Sequence, residues 1–250
     1  MPTAFEELVD RAASADVAGW DFSWLDGRAT EERPAWGYAR MMAERMSHAR
    51  VAVELQAGGG EVLSGVPDLP GVTVATESWP PNLARAAARL EPRGVTVVHD
   101  DGSNLPFASG AFDLVVARHP VRTPWDEVAR VLGPGGTYLS QQIGPDSVIE
   151  LTDFFTDPWP RGQSGREPAL ARAAAEAAGL AVVDLREATL RTVFHDVGAV
   201  VYFLRKVIWI VPGFTVDRYR ERLEAMHARI EADGPFVAHA TRFLIEARKR

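Results

Sequence analysis

The sequence predicts an α/β fold in which seven mostly parallel strands form a doubly wound sheet, with helices on both faces and a helical cap. Two observations favour it. Short apolar segments without hydrophobic alternation, beginning with "VAVEL" at residues 51–55, alternate along the chain with segments of helical spacing, as in parallel sheets buried on both faces. Three consecutive glycines, Gly58 to Gly60, follow the first strand closely, and glycines let a backbone approach a ligand.

Each predicted element is bounded by turn-forming residues or by its neighbour in the chain. The strands cover residues 51–55, 71–77, 94–100, 111–119, 137–143, 181–188 and 241–249. Helical spacing predicts helices over residues 3–18, 35–49, 80–90, 125–136 and 167–180, and two more within 196–232. In such a sheet a ligand is expected at the carboxyl ends of the strands, beside the point where the strand order reverses.

The predicted core spans residues 50–188 and 236–250, and two segments are expected to form the cap. Residues 1–49 carry two helical segments separated by an aromatic-rich stretch, and residues 189–235 carry two further helices. The longest apolar stretch, 197–211, contains two basic residues and is shorter than the roughly 20 apolar residues that cross a bilayer. No membrane span is therefore expected.

Composition narrows the classes of function. The chain has 250 residues, 46% of them hydrophobic, which is enough for one sizeable core. The formal net charge of -7 disfavours nucleic acid as a general partner, because an acidic surface repels phosphate backbones. The absence of cysteine excludes disulfides, thiolate metal ligands and a cysteine nucleophile, and no His/Asp/Glu grouping has metal-ligand spacing. The N-terminal segment contains acids and lacks the apolar core of a signal peptide, so a cytoplasmic protein is expected.

The glycine turn has two interpretations. Dinucleotide-binding folds use G-x-G-x-x-G and an acid about 20 residues later, and over Gly58 this pattern requires a glycine where the chain has Leu63. The nicotinamide interpretation is therefore weak. In the second interpretation, Glu54 and Glu77 end two strands, with the glycine turn between them. A carboxylate at the end of the second strand is suited to accept both hydroxyls of a ribose.

Four blocks of this region resemble class I S-adenosylmethionine-dependent methyltransferases. "VELQAGGG" is similar to the family's "DLGTGGG"-type first motif, and "VATES" to its ribose-binding motif. "DDGSNLPFASGAFDLVVARH" resembles the "DA..LPF..G.FDLV..RH" block, and "VARVLGPGG" resembles "ARVLRPGG". The blocks follow the family's order over residues 51–142. The resemblance implies a Rossmann-like core of the type 11 methyltransferase kind, the cofactor S-adenosyl-L-methionine and the product S-adenosyl-L-homocysteine.

The resemblance also implies which residues hold the cofactor. By position, Glu54 would bind near the methionine amino group, directly or through water. Gly58 and Gly60 would line the methionine and the ribose, Glu77 would hold the ribose hydroxyls, and Ser78 would lie beside the adenine.

The remaining contacts implied by the resemblance lie on three other segments. Asp101 and Gly102 would face the adenine edge. Arg118 and His119, at the end of the fourth strand, would border the methyl group. Tyr38 resembles a position near the cofactor's methionine in related enzymes.

Gln56 and Ala57 complete the predicted cofactor turn, and Gln56 departs from the family, which usually has glycine there. Three consequences are open: the side chain points away from the cofactor, it contacts the cofactor carboxylate, or it weakens cofactor binding. His119 is the catalytic candidate, and its role is equally open. It is a packed residue at the strand end, a general base, or a hydrogen-bond donor to the substrate.

Methyl transfer from a sulfonium is an in-line displacement in which the protein mainly positions the acceptor and excludes water. The predicted activity is methyl transfer to an oxygen, nitrogen or carbon nucleophile of a small molecule. The alternatives are an RNA or protein methyltransferase, and a degenerate cofactor-binding module without turnover. A small-molecule substrate is the expected partner, nucleic acid and membrane are not expected, and oligomerisation is open.

Overall fold

The computed structural model describes residues 3–100, 104–156 and 165–250. The helices are α1 Ala4–Ser14, α2 Tyr38–His48, α3 Pro80–Leu90, α4 Trp125–Val131, α5 Ile149–Phe155, α6 Pro168–Ala177, α7 Val197–Lys206 and α8 Arg220–Asp233. The strands are β1 Ala29–Glu31, β2 Val51–Leu55, β3 Val72–Glu77, β4 Val95–His99, β5 Phe112–Arg118, β6 Leu132–Ile143, β7 Leu180–Phe194 and β8 Phe236–Lys249.

These strands form one sheet in the order β1-β7-β8-β6-β5-β2-β3-β4. The strands from β2 to β6 are joined by parallel pairings, whereas β8 is antiparallel to β6 and β1 is antiparallel to β7. The predicted mostly parallel, doubly wound sheet is thereby confirmed. Along the chain β3 is added on one side of β2 and β5 on the other, so the strand order reverses at β2. A ligand is therefore expected at the carboxyl end of β2.

The sheet differs from the prediction in four details. The last strand, β8, begins at Phe236 rather than at residue 241. Eight strands are found among the described residues rather than seven, because β1 pairs with the end of β7. The strand predicted to end at residue 188 continues to Phe194, since that extension provides the partner for β1. The helix predicted over 125–136 ends at Val131, and the glycine-rich residues after it join β6, where Leu132 pairs with Phe112.

Alternate residues of β5 contribute to two separate apolar clusters. Leu114 and Val116 pack in one cluster with Met42 of α2, and Val115 packs in the other with Tyr138 of β6. Because successive side chains of a strand point to opposite faces, both faces of the sheet are covered. This explains why the central strands are apolar throughout rather than alternating.

The chain divides into two compact units. The larger unit comprises Pro34–Gly144, Gly165–Ala188 and Arg242–Arg250, and the smaller comprises Met1–Arg33, Pro145–Ser164 and Thr189–Thr241. The division predicted from the sequence, with cap segments at 1–49 and 189–235, stays a prediction. All the site residues described below belong to the larger unit.

Within the smaller unit, α7 packs closely on α1. A Cβ atom at Gly198 would lie 2.8 Å from the carbonyl oxygen of Leu8, so glycine is required for this approach. Asp196 caps α7 by accepting the N–H of Ala199 at 2.8 Å, and Arg205 donates to a carbonyl at the end of α1, that of Ala12. In the described ranges, no helix has both the length and the hydropathy that a membrane crossing requires.

Candidate cofactor site

The turn after β2 is built on left-handed backbone. Gly58 and Gly60 have φ angles of 61° and 76°, which glycine adopts at no steric cost. A Cβ atom at Gly60 would lie 2.7 Å from the Leu90 side chain, so glycine is also needed for the packing of the turn on α3. The N–H of Ala57 donates to the carbonyl of Thr76 at 2.8 Å and ties the turn to β3.

Glu77, the last residue of β3, is a buried carboxylate that organises the turn. Its Oε2 accepts the N–H of Gly58 at 2.8 Å, and its Oε1 accepts the N–H groups of Ser78 and Trp79 at 2.9 Å each. These bonds connect the glycine turn to the start of α3. A carboxylate oxygen has two lone pairs, so Oε2 retains acceptor capacity for a hydroxyl. The contact of Glu77 with a ribose stays a prediction.

Glu54, near the end of β2, is buried, with only 2% of its surface exposed. Its Oε2 has no hydrogen-bond partner within the described residues. Burial raises the pKa of this carboxyl to about 8, with the positive charge of Arg118 opposing the shift and the charge of Glu61 adding to it. A buried carboxyl oxygen without a hydrogen bond is costly, and a cationic ligand group would supply a partner that the described residues do not.

Tyr38, the first residue of α2, packs beside this group. Its hydroxyl donates to the carbonyl of Ala117 in β5 at 3.0 Å. Burial, followed by the neighbouring charge of Glu54, raises the pKa of Tyr38 well above its ordinary value. Tyr38 is therefore a neutral phenol that closes the site on the α2 side.

Arg118 and His119 follow each other where β5 ends. Arg118 is exposed, and its guanidinium makes no ion pair with the residues that the structure describes. His119 adopts a left-handed φ of 52°, and its backbone N–H donates to the carbonyl of Gln141 at 2.7 Å. Pro120 favours an extended conformation for the residue before it, so the left-handed His119 departs from that preference.

The His119 imidazole is linked to two buried side chains. The indole Nε1–H of Trp36 donates to Oε1 of Gln141 at 2.8 Å, and Nε2 of Gln141 lies 3.0 Å from Nε2 of His119. Neither Trp36 nor Gln141 was predicted as a site residue. The only sequence signal is the polar pair Gln141–Gln142 at the end of an otherwise apolar strand, and it does not reveal the partners.

Gln56 has both a strained backbone and an engaged side chain. Its φ of 54° is left-handed, the conformation that the family's glycine would adopt without strain. Its side-chain Nε2 donates to the carbonyl of Arg122 at 2.7 Å, and its Oε1 accepts the N–H of Val121 at 2.7 Å. The side chain thus fastens the turn after β2 to the segment after β5.

Two arginines of α3 and the turn after it, absent from the sequence predictions, hold the chain beyond the glycines. Arg89 donates to the carbonyl of Gly59 and pairs with Glu61 at 2.9 Å. Arg93 donates to the carbonyls of Ser64 and Val66 at 2.7 and 2.6 Å. The segment after the glycine turn is therefore fixed by side chains rather than by a full helix.

The structure brings Tyr38 and Arg118 near the buried carboxyl of Glu54. It also joins Gly58 to Glu77 in one hydrogen-bonded turn. Ser78 is exposed, and its carbonyl accepts from Nε2 of His99 at 3.0 Å. Asp101 and Gly102 lie outside the described residues. Across the ranges that are described, no group of three or more acids and histidines is arranged to hold a metal ion.

Residues 53–140 match the family model of a methyltransferase domain. The chain carries a methyltransferase domain. This match confirms the predicted class I, Rossmann-like methyltransferase domain over these residues, and the domain family implies dependence on S-adenosylmethionine. Among curated proteins, none matches the chain in sequence.

Several solved structures share the fold of this methyltransferase domain. A candidate methyltransferase from Bacillus halodurans C-125 has a TM-score of 0.63 at 18% identity, over 86% of this chain and 99% of its own. An S-adenosylmethionine-dependent methyltransferase from Mesorhizobium loti has a TM-score of 0.52 at 16% identity, over 86% and 97%. The [4+2]-cyclase SpnF has a TM-score of 0.55 at 16% identity, over 99% and 97%. At these identities the likeness shows the fold alone.

Proposed function

We propose that the chain transfers a methyl group from S-adenosylmethionine to a small-molecule acceptor. The observation that carries this proposal is the buried Glu54 carboxyl, at the point where the strand order reverses and next to the glycine turn. Its Oε2 has no hydrogen-bond partner among the residues that the structure describes. The methionine end of the cofactor bears an ammonium group, which is the partner such a carboxyl requires.

The residues of the site fit this cofactor in three respects. Glu54 would receive the ammonium group, and Glu77 would use its remaining lone pair for the ribose. Gly58, with its left-handed φ, carries no side chain, so a ligand could approach the backbone of the turn. The bound sulfonium would supply an electrophilic methyl group, and the task left to the protein is to orient the acceptor and exclude water.

A small-molecule acceptor is favoured over RNA by the net charge of -7, because a chain that binds phosphate backbones needs compensating basic residues. Retention of the protein on immobilised RNA in a salt-dependent manner would support the alternative. If the proposal holds, the acidic chain is expected to pass through the RNA column without retention at every salt concentration. The cytoplasmic location expected from the sequence belongs to the same proposal.

A degenerate module without turnover is the second candidate, and it rests on Gln56. The contacts of this residue favour the catalytic proposal instead. The Gln56 side chain is bonded to the backbone of Val121 and Arg122, so it forms part of the structure of the turn. Its amide is thus held by the chain itself, and a cofactor need not displace it.

Calorimetric titration with S-adenosylmethionine and S-adenosylhomocysteine tests the proposal on the native chain and on two variants. Micromolar binding that is lost in Glu77→Ala and kept in Gln56→Gly is the expected result. Absence of binding to the native chain, with binding restored by Gln56→Gly, would instead identify a degenerate site.

Glu54 provides a second readout in the same instrument. Below its raised pKa the carboxyl is protonated, so pairing with an ammonium group must release a proton. Titrations at neutral pH in two buffers of different ionisation enthalpy measure this release. Glu54→Gln should bind without it, and equal proton release in native and variant chains would exclude Glu54 as the partner.

A further inference from the structure

The hydrogen bonds around His119 determine which of its ring nitrogens carries the proton. An indole N–H donates and never accepts, so the atom of Gln141 that faces Trp36 at 2.8 Å is the carbonyl oxygen. The amide nitrogen of Gln141 then faces Nε2 of His119 at 3.0 Å. An amide N–H₂ group only donates, so Nε2 of His119 must be the acceptor.

A neutral imidazole with a bare Nε2 carries its proton on Nδ1. Nδ1 makes no hydrogen bond to any residue in the described ranges. His119 therefore offers one unused polar group, and that group is a donor. A general base would need a bare nitrogen, and the bare nitrogen here is already engaged by Gln141.

The charges around His119 support the neutral form. Burial lowers its pKa well below the ordinary value, and the positive charges of Arg118, Arg242 and Arg166 lower it further. In the doubly protonated ring, the proton on Nε2 would face the amide N–H₂ group of Gln141. Two donors would then oppose each other, which disfavours the charged ring. The imidazole thus stays neutral. Beside it, the exposed Arg118 makes no ion pair with the residues that the structure describes, and its positive potential attracts anions.

We infer that Trp36 and Gln141 act as positioning residues that hold His119 as an Nδ1–H donor, and that the methyl acceptor is an oxyanion such as a phenolate or a carboxylate. This inference rests on the proposed function and on the position of His119, which directly follows the carboxyl end of β5 beside the reversal of strand order. The acceptor oxygen uses its own electron pair to form the O–CH₃ bond, while the S–CH₃ bond breaks and leaves a neutral thioether. No proton is transferred, so no base is required.

The tautomer can be measured on the free protein by long-range ¹⁵N–¹H correlation spectra of histidine-labelled chain, with His119→Gln to assign the resonances. The expected spectrum has a protonated Nδ1, a bare Nε2 and no titration around neutral pH. A protonated Nε2, or an imidazolium at neutral pH, would overturn the inference.

Gln141→Glu is the informative variant, because it keeps an acceptor for Trp36 and places a second acceptor opposite Nε2 of His119. The proton is then expected to move to Nε2, with a higher pKa for the ring. Gln142→Glu is the matched control. It adds the same charge one residue away, where the native side chain donates to Thr123 at 3.2 Å, and it should leave the tautomer unchanged.

The acceptor class is tested with 4-nitrophenol on the chain saturated with S-adenosylhomocysteine, above and below the pKa of the phenol, with benzylamine as the cationic comparison. The phenolate is expected to shift the Nδ1–H resonance and to bind about tenfold more tightly than the neutral phenol, as a charge-assisted hydrogen bond would give. Gln141→Glu should abolish that preference.

Equal binding of the two phenol forms, tighter binding of the amine, or no response of the His119 resonances to any probe would overturn the oxyanion assignment. Failure of S-adenosylhomocysteine to bind would overturn the proposed function instead. The tautomer measurement on the free protein separates the two failures.

Discussion

At the level of single residues, Glu54 makes the stability of the fold depend on pH. The pKa of its carboxyl rises from 4.5 to about 8 in the folded state through burial. Between these values the folded chain keeps a proton that the unfolded chain has released. The stabilisation from this raised pKa is therefore complete below the unfolded value and is lost as pH rises through the folded value.

Replacing Glu54 by glutamine removes this ionisation. We expect the free energy of unfolding of the native chain to fall by several kcal/mol between about pH 5 and about pH 9, and the Glu54→Gln variant to lose most of that decline. Urea unfolding at the two pH values measures the difference. Glu44→Gln is the control, because its side chain is 60% exposed. An undiminished decline in Glu54→Gln would refute the assignment.

Gln56 both destabilises the fold, through its backbone conformation, and stabilises it, through its side-chain hydrogen bonds. Its left-handed backbone costs about 1–2 kcal/mol, and its two side-chain hydrogen bonds contribute about 1 kcal/mol each. Gln56→Ala keeps the strain and loses the bonds, so it should lower the free energy of unfolding by about 2 kcal/mol. Gln56→Gly relieves the strain as well, so its loss should be smaller. Urea titration compares the two, and identical losses would contradict the strained geometry.

At the level of elements, α2 is anchored to β8 by an ion pair. Arg45 donates through Nε and Nη2 to the two carboxylate oxygens of Glu246, at 3.1 and 3.0 Å. Glu246 is buried, whereas the Arg45 side chain remains 30% exposed. The planar guanidinium matches the carboxylate with two parallel bonds. This pair holds the helix whose first residue, Tyr38, lies near the buried Glu54.

Removing one partner of the pair leaves the other unsatisfied at the helix–sheet contact. Glu246→Ala should destabilise the chain by about 3 kcal/mol, measured by urea unfolding. The double variant Arg45→Met with Glu246→Leu should lose less, because it removes both charges and fills the space. A double variant less stable than Glu246→Ala would mean that the ion pair itself, rather than the filling of the site, anchors α2.

An element could be predicted where its own residues carry the pattern of a strand or helix, and not where it forms only by pairing with a distant segment. β2 and β5 were predicted because their apolar segments need no partner to be recognised. β1 was not predicted, because its three residues "ATE" have no apolar pattern and become a strand only by pairing with β7. The helix predicted over 125–136 was too long at its end, because pairing of Leu132 with Phe112 takes the following residues into β6.

At the level of the whole molecule, the site was predictable where its residues are close in sequence. Glu54 and Gly58 belong to one sequence motif and Glu77 to the next, and in the structure the N–H of Gly58 donates to Glu77. The contact of Trp36 with Gln141 joins residues 105 positions apart. Spacing cannot reveal such a contact, because it depends on how the segment before α2 meets β6 in the folded chain.

Binding of the product should stabilise the whole chain. At 100 times its Kd, S-adenosylhomocysteine contributes about 2.7 kcal/mol to the folded state, which corresponds to a rise in Tm of about 5–10 °C for a chain of this size. Differential scanning calorimetry measures the rise. Glu77→Ala, compared with its own unliganded Tm, should show a smaller rise. A full rise in that variant would remove Glu77 from the binding site.

The position of β8 has a consequence for how the protein is made. It is the last of the eight described strands along the chain, yet it lies inside the sheet between β6 and β7. Its pairing with β6 runs from Thr137–Arg248 to Ile143–Arg242. During synthesis β6 therefore leaves the ribosome well before β8 has been made. Until then the backbone N–H and C=O groups along that edge of β6 are unpaired, and another nascent chain can pair with them. The yield of folded protein should therefore depend on how long translation of the last strand takes, and on the chaperones that cover β6 until then.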